Sequence, residues 1–550
     1  MLACINYHPE GYSLPTEKLM GRHAAGASFL RAFFLYAKHE ESIYAKVGQA
    51  SHAKVFAEQA KLAGINLPTH TITNENYSDL RRVGSLYIPG PGLDQEANNR
   101  SLYGDHFWSL CGITHTTSSA GAMDALASLL TGPVQTWDAL ICTSTAVKKN
   151  VEVVLQAQAD YLKHRLGATK FTLPQLPVIP LGIHTGDFFY SESQRDRARD
   201  KLGITSEQIV VLYTGRLSFH GKAHPVAMYK ALEIAAQSTN KNVVLIECGW
   251  HANNHIAEAF SEAAAHVSPS VRVINLDGRD ADNRDIAWAS ADVFCSLSDN
   301  IQETFGIVPL EAMAAGLPVV VSDWDGYKDT VRNGIDGFRI PTLAAGPGLA
   351  GDLALRHALN IDSYDMYIGH SSSLVSIDIA AAATGFEELF RSPELRRKMG
   401  DAGRERAQNL YDWRVIIPRY EELWDELADR RRVASKDNPK ATNTWPARLD
   451  PTISFEHYPT SHLALNTKLR LATNSPKAAT EQLAGLKALK MVNYAELVFP
   501  TNAEIEQVLA NASIEPTAAE ALIEGVATAR RPYVFRGLVW LLKIGILQLA

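Results

Sequence analysis

An α/β fold with two parallel-sheet domains, followed by a small, mainly helical C-terminal unit, is what the sequence predicts. Three observations carry this. Short apolar runs alternate with helical stretches over most of residues 1–430; the strand candidates are LACINY, SLYIPG, ALICTS, IVVLYTG, NVVLIEC, VRVINL, ADVFCSL and LPVVVS. Several are apolar at every position, as strands covered by helices on both faces must be. Such alternation implies parallel pairing through right-handed crossovers, and so many strands over this length divide better between two sheets than one.

The first boundary is expected within PLGIHTGDFF (180–189), so residues 1–188 form the N-terminal domain and 189–432 the second, which closes with the helical YDWRVIIPRYEELWDEL. Residues 433–450 are polar, contain Pro439 and Pro446, and read as a linker. Residues 451–550 then form a unit with a helix–helix–helix rhythm, faintly winged-helix-like, and a protein contact is its expected use. Its last apolar run, GLVWLLKIGILQLA, carries Lys543 and is too short to span a bilayer. Core packing is the expectation, with peripheral membrane contact left open.

Composition narrows the class. Of 550 residues 46% are apolar and 21% charged, as in an ordinary globular protein, and the net charge of −7 gives no global attraction to nucleic acid or anionic lipid. The five cysteines are dispersed, mostly in apolar runs, with no CxxC pair, which predicts buried thiols in a reducing compartment. The N-terminus lacks the basic and apolar regions of a signal peptide, so a cytoplasmic location is expected.

Two stretches carry chemistry. In NIQETFGIVPLEAMAAGLPVVVSD, Pro309 suits a first helical turn and Gly316 a left-handed C-cap, after which LPVVVS reads as a strand. Glu303 is then expected in the preceding loop and Glu311 in the first turn of the helix. The backbone of Phe305, Gly306 and Ile307 would present N–H groups to an anion. Carboxylates on both sides of an anion site suit a ligand with phosphates in its middle and hydroxyls at either end, the layout of a nucleoside-diphosphate sugar; two glutamates that only solvate a helix start are the bland alternative. In VVLYTGRLSFHGKAHP, a strand ends at Gly215, followed by Arg216 and Lys222, two cations able to grip a diphosphate. The spacing is one residue too long for a Walker A loop, and Ala223 replaces the Ser or Thr that would hold magnesium.

Taken together, G-R-L-x4-K after a buried strand and E-x7-E further on resemble glycosyltransferase family 4, over roughly residues 1–430. The resemblance implies a GT-B fold, two Rossmann-like domains facing a cleft, and a retaining, metal-independent transfer of a sugar from a nucleotide-diphosphate donor. It implies that Glu303 contacts sugar hydroxyls, that Glu311 binds the ribose, and that Arg216 and Lys222 hold the diphosphate. GFRIPT, from Gly337, fits the same pattern. GITHTTSS resembles a segment of related mannosyl- and inositol-transferring enzymes and places His115 beside donor sugar and acceptor. Gly21, in LMGRHAAG, is the counterpart of a glycine loop near the phosphates, although Arg22 stands where many members have a second glycine. Gly278 and Arg279 are candidates for the nucleobase pocket.

Other motifs are set aside. GPGLAG lacks the strand–turn–helix context of a dinucleotide fingerprint, and Asp280–Asp282 reads as a helix N-terminus rather than a metal-binding DxD. No cofactor is expected beyond the nucleotide sugar as co-substrate. The acceptor stays open among saccharide, lipid-linked and small-polyol hydroxyls. An epimerase or phosphorylase on the same fold, or a non-catalytic sugar-nucleotide sensor, are the competing readings. Between Pro341 and Ile377 lies an inserted-looking stretch, expected as a long irregular loop able to reach the mouth of the site.

Overall fold

The computed structural model describes residues 3–13, 21–39, 41–437 and 445–550. It divides into two compact units, 1–447 and 448–550. The larger unit holds two six-stranded parallel sheets. The first comprises β1 (Cys4–Tyr7), β2 (Ile43–Val47), β3 (Thr69–Ile72), β4 (Ser85–Tyr87), β5 (Ser109–Ile113) and β6 (Ala139–Ile141), in the order β3-β2-β1-β4-β5-β6. The second comprises β7 (Ile209–Leu217), β8 (Val243–His251), β9 (Arg272–Asp277), β10 (Val293–Ser296), β11 (Val319–Ser322) and β12 (Gly337–Ile340), in the order β12-β11-β10-β7-β8-β9. Both are doubly wound sheets of Rossmann order. Each therefore has a switch point, at β1/β4 and β7/β10, where a crevice opens beyond the carboxyl ends of the strands.

The central strands are buried on both faces: Val210–Leu212 and Val293–Cys295 are wholly inaccessible. That is why their sequences carry no alternation. β2, β3 and β12 have weaker signals. β2 alternates buried and half-buried positions, while β3 and β12 are edge strands of four residues that mix polar and apolar side chains.

The long helix Trp413–Asp437 crosses from the second sheet domain to pack on helix Gly21–Tyr36 of the first. Phe29 stacks on Tyr87 (4.5 Å between ring centroids) and meets Tyr420 at 5.4 Å and Trp413 at 5.9 Å. All four rings are buried, and each contributes about 1.5–3 kcal/mol of transfer free energy. Trp413 also donates from Nε1 to Ser28 Oγ (2.7 Å), and its backbone pairs with Ile183. A Cβ on Gly182 would lie 2.5 Å from the Trp413 ring, so glycine is required there.

Residues 341–377 are not an irregular loop. Strands Thr342–Ala344 and Val375–Ile377 pair antiparallel and close off two helices, Gly351–Ala358 and Tyr364–Ser372. The smaller unit is mainly helical with one addition. Strands Lys468–Leu471, Thr517–Ala518 and Leu547–Leu549 form a three-stranded antiparallel sheet. The terminal apolar run is split by Gly545 (φ +71°) into helix Arg531–Lys543 and the last strand, with Val534, Leu538, Leu541, Ile546 and Leu547 in the core of that unit. No described helix is long and apolar enough to cross a membrane. All five cysteines are buried and unbridged.

Candidate active site

The carboxyl end of β7 supplies Arg216, and the turn after it supplies Lys222. Ser218 shapes the turn: its carbonyl accepts from Lys222 N (3.0 Å) and its hydroxyl from Gly221 N (3.1 Å). Arg216 Nη2 donates to Gly221 O (3.1 Å) and to Gln302 Oε1 (3.2 Å). A Cβ on Gly221 would sit 2.6 Å from that guanidinium, so the glycine lets Arg216 fold over the turn. From the loop after β10, Glu303 accepts from Lys222 Nζ at 3.2 Å, with side-chain exposures of 15% and 33%. Two cations and an acid from stretches far apart in sequence thus meet at the β7/β10 switch point.

The same loop leads into helix Ile307–Ala314, opened by Gly306 at φ +80°. A Cβ there would fall 1.9 Å from the Tyr327 ring, which only glycine avoids. Phe305 is buried beneath. Pro309 is the third helical residue and Glu311 the fifth, so Glu311 lies in the second turn and not the first, a correction to the expected placement. Burial pushes its carboxyl up to about 7, against the pull of Arg284.

A row of glycines runs from β7 towards β9. Gly215 pairs in register with Gly249 of β8, and a Cβ on Gly249 would lie 2.0 Å from the Gly215 carbonyl. Gly278 donates its N–H to Gly249 O (2.9 Å). Neighbouring strands lie about 4.8 Å apart, so the Gly278 backbone sits roughly 10 Å from that of Gly215, two strands away. Arg279 is paired with Asp277 (2.7 Å), both about half exposed. Asp280 caps helix Ala281–Ser290 by accepting from Asp282 N. Gly249 had no signature inside the strand sequence VVLIECGWH; its role follows only from register.

The first domain contributes from across the cleft. His115 follows β5, half-buried, and its carbonyl accepts from Thr304 Oγ1 (2.9 Å), the neighbour of Glu303. Ser144, N-cap of helix Thr145–Leu166, donates to Asp325 Oδ1 (3.1 Å), and Thr145 N donates to Asp329 (2.6 Å). Gly21 opens helix Gly21–Tyr36, but its surroundings and the Arg22 side chain lie outside the described residues.

Asp325 escaped sequence reading. Its backbone is left-handed (φ +43°), an uncommon conformation for a non-glycine residue. Burial, then the charges of Glu303 and Asp329, push its carboxyl up to about 8, opposed by the Ser144 hydroxyl. An acid whose pKa is raised by folding favours the native state most when protonated. Stability should therefore fall as pH rises from about 4 to about 8 and level off above that. Asp325→Asn keeps the acceptor for Ser144 and removes the ionisation, so its denaturation midpoint should gain on that of the unaltered protein across that window. Parallel curves from pH 4 to 9 would refute the assignment.

Residues 194–345 match the family model described as glycosyl transferases group 1. The chain is 29% identical over 188 residues to a D-inositol 3-phosphate glycosyltransferase of Rhodococcus jostii, covering 31% of this chain and 41% of the relative. It is 26% identical to the putative glycosyltransferase EpsD of Bacillus subtilis over 45% of this chain and 52% of that protein. In these matches the chain spans about half the length of the relatives or less. A longer match, 24% identical, covers 76% of the chain and 98% of a GDP-mannose-dependent alpha-(1-6)-phosphatidylinositol monomannoside mannosyltransferase of Mycolicibacterium smegmatis. Among solved structures, Anabaena Alr3699/HepE in complex with UDP and glucose is similar at a TM-score of 0.47 and 14% identity, over 75% of this chain and 98% of that one.

Proposed function

We propose that the protein, whose residues 194–345 match the model described as glycosyl transferases group 1, transfers a sugar from a nucleoside-diphosphate donor to an acceptor hydroxyl, with retention of configuration and without a metal. The observation that carries this is the meeting of Arg216, Lys222 and Glu303 at the β7/β10 switch point. In this reading the diphosphate lies between Arg216, Lys222 and the N-terminus at Phe305, Gly306 and Ile307. The sugar hydroxyls reach Glu303. The ribose meets Glu311, whose carboxyl, titrating near 7, can donate as well as accept. The base extends along the glycine row to Gly278 and Arg279.

Glycosyl transfer builds positive charge on the ring and negative charge on the departing diphosphate. Fixed donors aimed at the leaving group are the largest lever on such a barrier. Two cations and a helix terminus provide them here, and the freed phosphate oxygen takes the proton of the attacking hydroxyl on the same face. His115 orients the ring rather than acting as an obligate base. The names of the relatives make inositol-type polyols and mannosides the first acceptors to try. Buried, unbridged thiols favour a reducing, cytoplasmic setting.

Thermal-shift titration against UDP-, GDP- and ADP-sugars, with and without EDTA, checks the donor site. A donor at 100 times its dissociation constant should stabilise the fold by about 2.7 kcal/mol. A shift with one base that persists in EDTA is expected. A shift abolished by EDTA would replace metal independence with a metal-bridged diphosphate, and no shift with any donor would remove the proposal.

A further inference from the structure

Helix Tyr364–Ser372, within the 341–377 insertion, is built into the site through one face. Tyr364 and Ile368 are four residues apart and so lie on the same side of the helix. Gln302 Nε2 donates to Tyr364 Oη at 3.2 Å, and Asn300 Nδ2 donates to the Ile368 carbonyl at 3.4 Å and to His220 O at 2.8 Å. Asn300 Oδ1 in turn accepts from Gln302 N (2.9 Å). A Cβ on Gly369 would come within 3.0 Å of His220 Cβ, so the helix lies close against the turn that carries Lys222. On its other side Tyr364 Oη is 2.8 Å from Ser118 Oγ of the first domain, which is 3.1 Å from Thr116 Oγ1.

The hydrogen-bond polarity of this chain is determined. Arg216 only donates, so Gln302 must turn its carbonyl to the guanidinium and its amide N–H2 to Tyr364. The Tyr364 oxygen accepts that bond, which leaves its single proton for Ser118. From these contacts we infer that Tyr364 is a positioning residue: through Gln302 it holds Arg216 in the orientation that meets the diphosphate, and through Ser118 it makes that orientation depend on closure of the two sheet domains. The inference rests on the donor-site reading and extends it to the insertion. Without the hydroxyl, Gln302 keeps its bond to Arg216 but loses the anchor on its amide nitrogen, and a small misplacement of a charge-stabilising group costs rate steeply.

Tyr364→Phe removes one oxygen and keeps the ring. With the donor that the full-length protein turns over, the variant should lose about tenfold in kcat while its KM for donor moves less than about twofold. Added to Gln302→Leu, it should cost nothing more. Its melting temperature should match the unaltered protein, and amide exchange across Asn300–Thr304 should quicken. A merely structural tyrosine would lower the melting temperature and leave the kcat-to-KM split alone. Unchanged kcat, or additive losses with Gln302→Leu, overturns the inference while the donor reading stands. If the unaltered protein turns over no nucleotide sugar, the donor reading falls. The exchange arm still decides the tether in that case, and unchanged exchange at Asn300–Thr304 overturns it.

Discussion

Lys222→Ala should lower sugar transfer by at least about a hundredfold, which corresponds to roughly 2.7 kcal/mol of transition-state stabilisation. Two effects add. The ammonium group that meets the growing charge on the leaving diphosphate is lost. Glu303, mostly buried and 3.2 Å from that ammonium, is also left as an uncompensated carboxylate beside the site where the phosphates must bind. Repulsion raises the donor's KM while the lost cation lowers kcat, so both constants move. The second variant Glu303→Gln separates the two effects. It loses the sugar contact but keeps the cation, so its donor KM should change less than that of Lys222→Ala while kcat falls comparably. In Lys222→Ala/Glu303→Gln the repulsion is gone, and donor affinity should recover part of the loss even though turnover does not. Lys222→Arg offers no full rescue, because a planar fork does not reproduce a compact ammonium group at the end of this turn. Unimpaired kcat in Lys222→Ala, with an unaltered melting curve, would place the diphosphate elsewhere.

What could be read from sequence, and what could not, divides by the range of the interactions. The strand Ile209–Leu217 and the helix Ile307–Ala314 were legible because burial, a proline near the helix start and Gly316 at its end are local demands written in consecutive residues. Arg216, Lys222 and Glu303 were legible for the same reason: each stands at a fixed offset from such an element. Tyr364 was not. It meets Ser118 across 246 positions and Gln302 across 62, and the sequence around it, NIDSYDMY, looks like any polar helix start. Asp325 was hidden by its chemistry, since an acid in SDWDGY reads as a turn residue until burial and two further carboxylates are seen around it. The strand at Leu547–Leu549 was lost inside a continuous apolar run, in which a helix and a strand have the same composition and only Gly545 marks the break. The insertion read as a loop because helix Gly351–Ala358 buries no residue of its own, so no local pattern announced it.

The largest expected effect on stability lies far from the chemistry, in the first sheet. Asp138→Ala should destabilise the protein by about 3–5 kcal/mol, as breaking a buried ion pair generally does. Asp138 and Arg100 are both wholly inaccessible, with Oδ1 2.6 Å from Arg100 Nη1 and Oδ2 2.8 Å from Nη2. The carboxylate also accepts from the backbone N–H of Leu110 in β5 (2.8 Å) and of Gln135 (2.7 Å), in the turn that leads into β6. Arg100, on helix Asp94–Ser101, donates further to the Trp108 carbonyl (2.9 Å). One acid thus joins a helix to the start of two adjacent strands. Its removal strands a guanidinium and two amides in a space closed to water, each of which costs free energy on its own. Asp138→Asn should be nearly as damaging, because an amide has one acceptor oxygen for four donors and leaves the charge unpaired. Arg100→Met combined with Asp138→Ala should lose less than Asp138→Ala alone, since the unpaired cation is then absent. That sign of coupling in a double-mutant cycle, measured by denaturant unfolding, separates a buried-charge penalty from simple loss of packing. The carboxyl ends of β7 and β10 lie in the other sheet, so donor affinity of Asp138→Ala, measured below its melting temperature, should stay within about twofold of the unaltered protein. Additive losses in the cycle would assign the cost to packing, and a melting curve unchanged by Asp138→Ala would show that water reaches the pair.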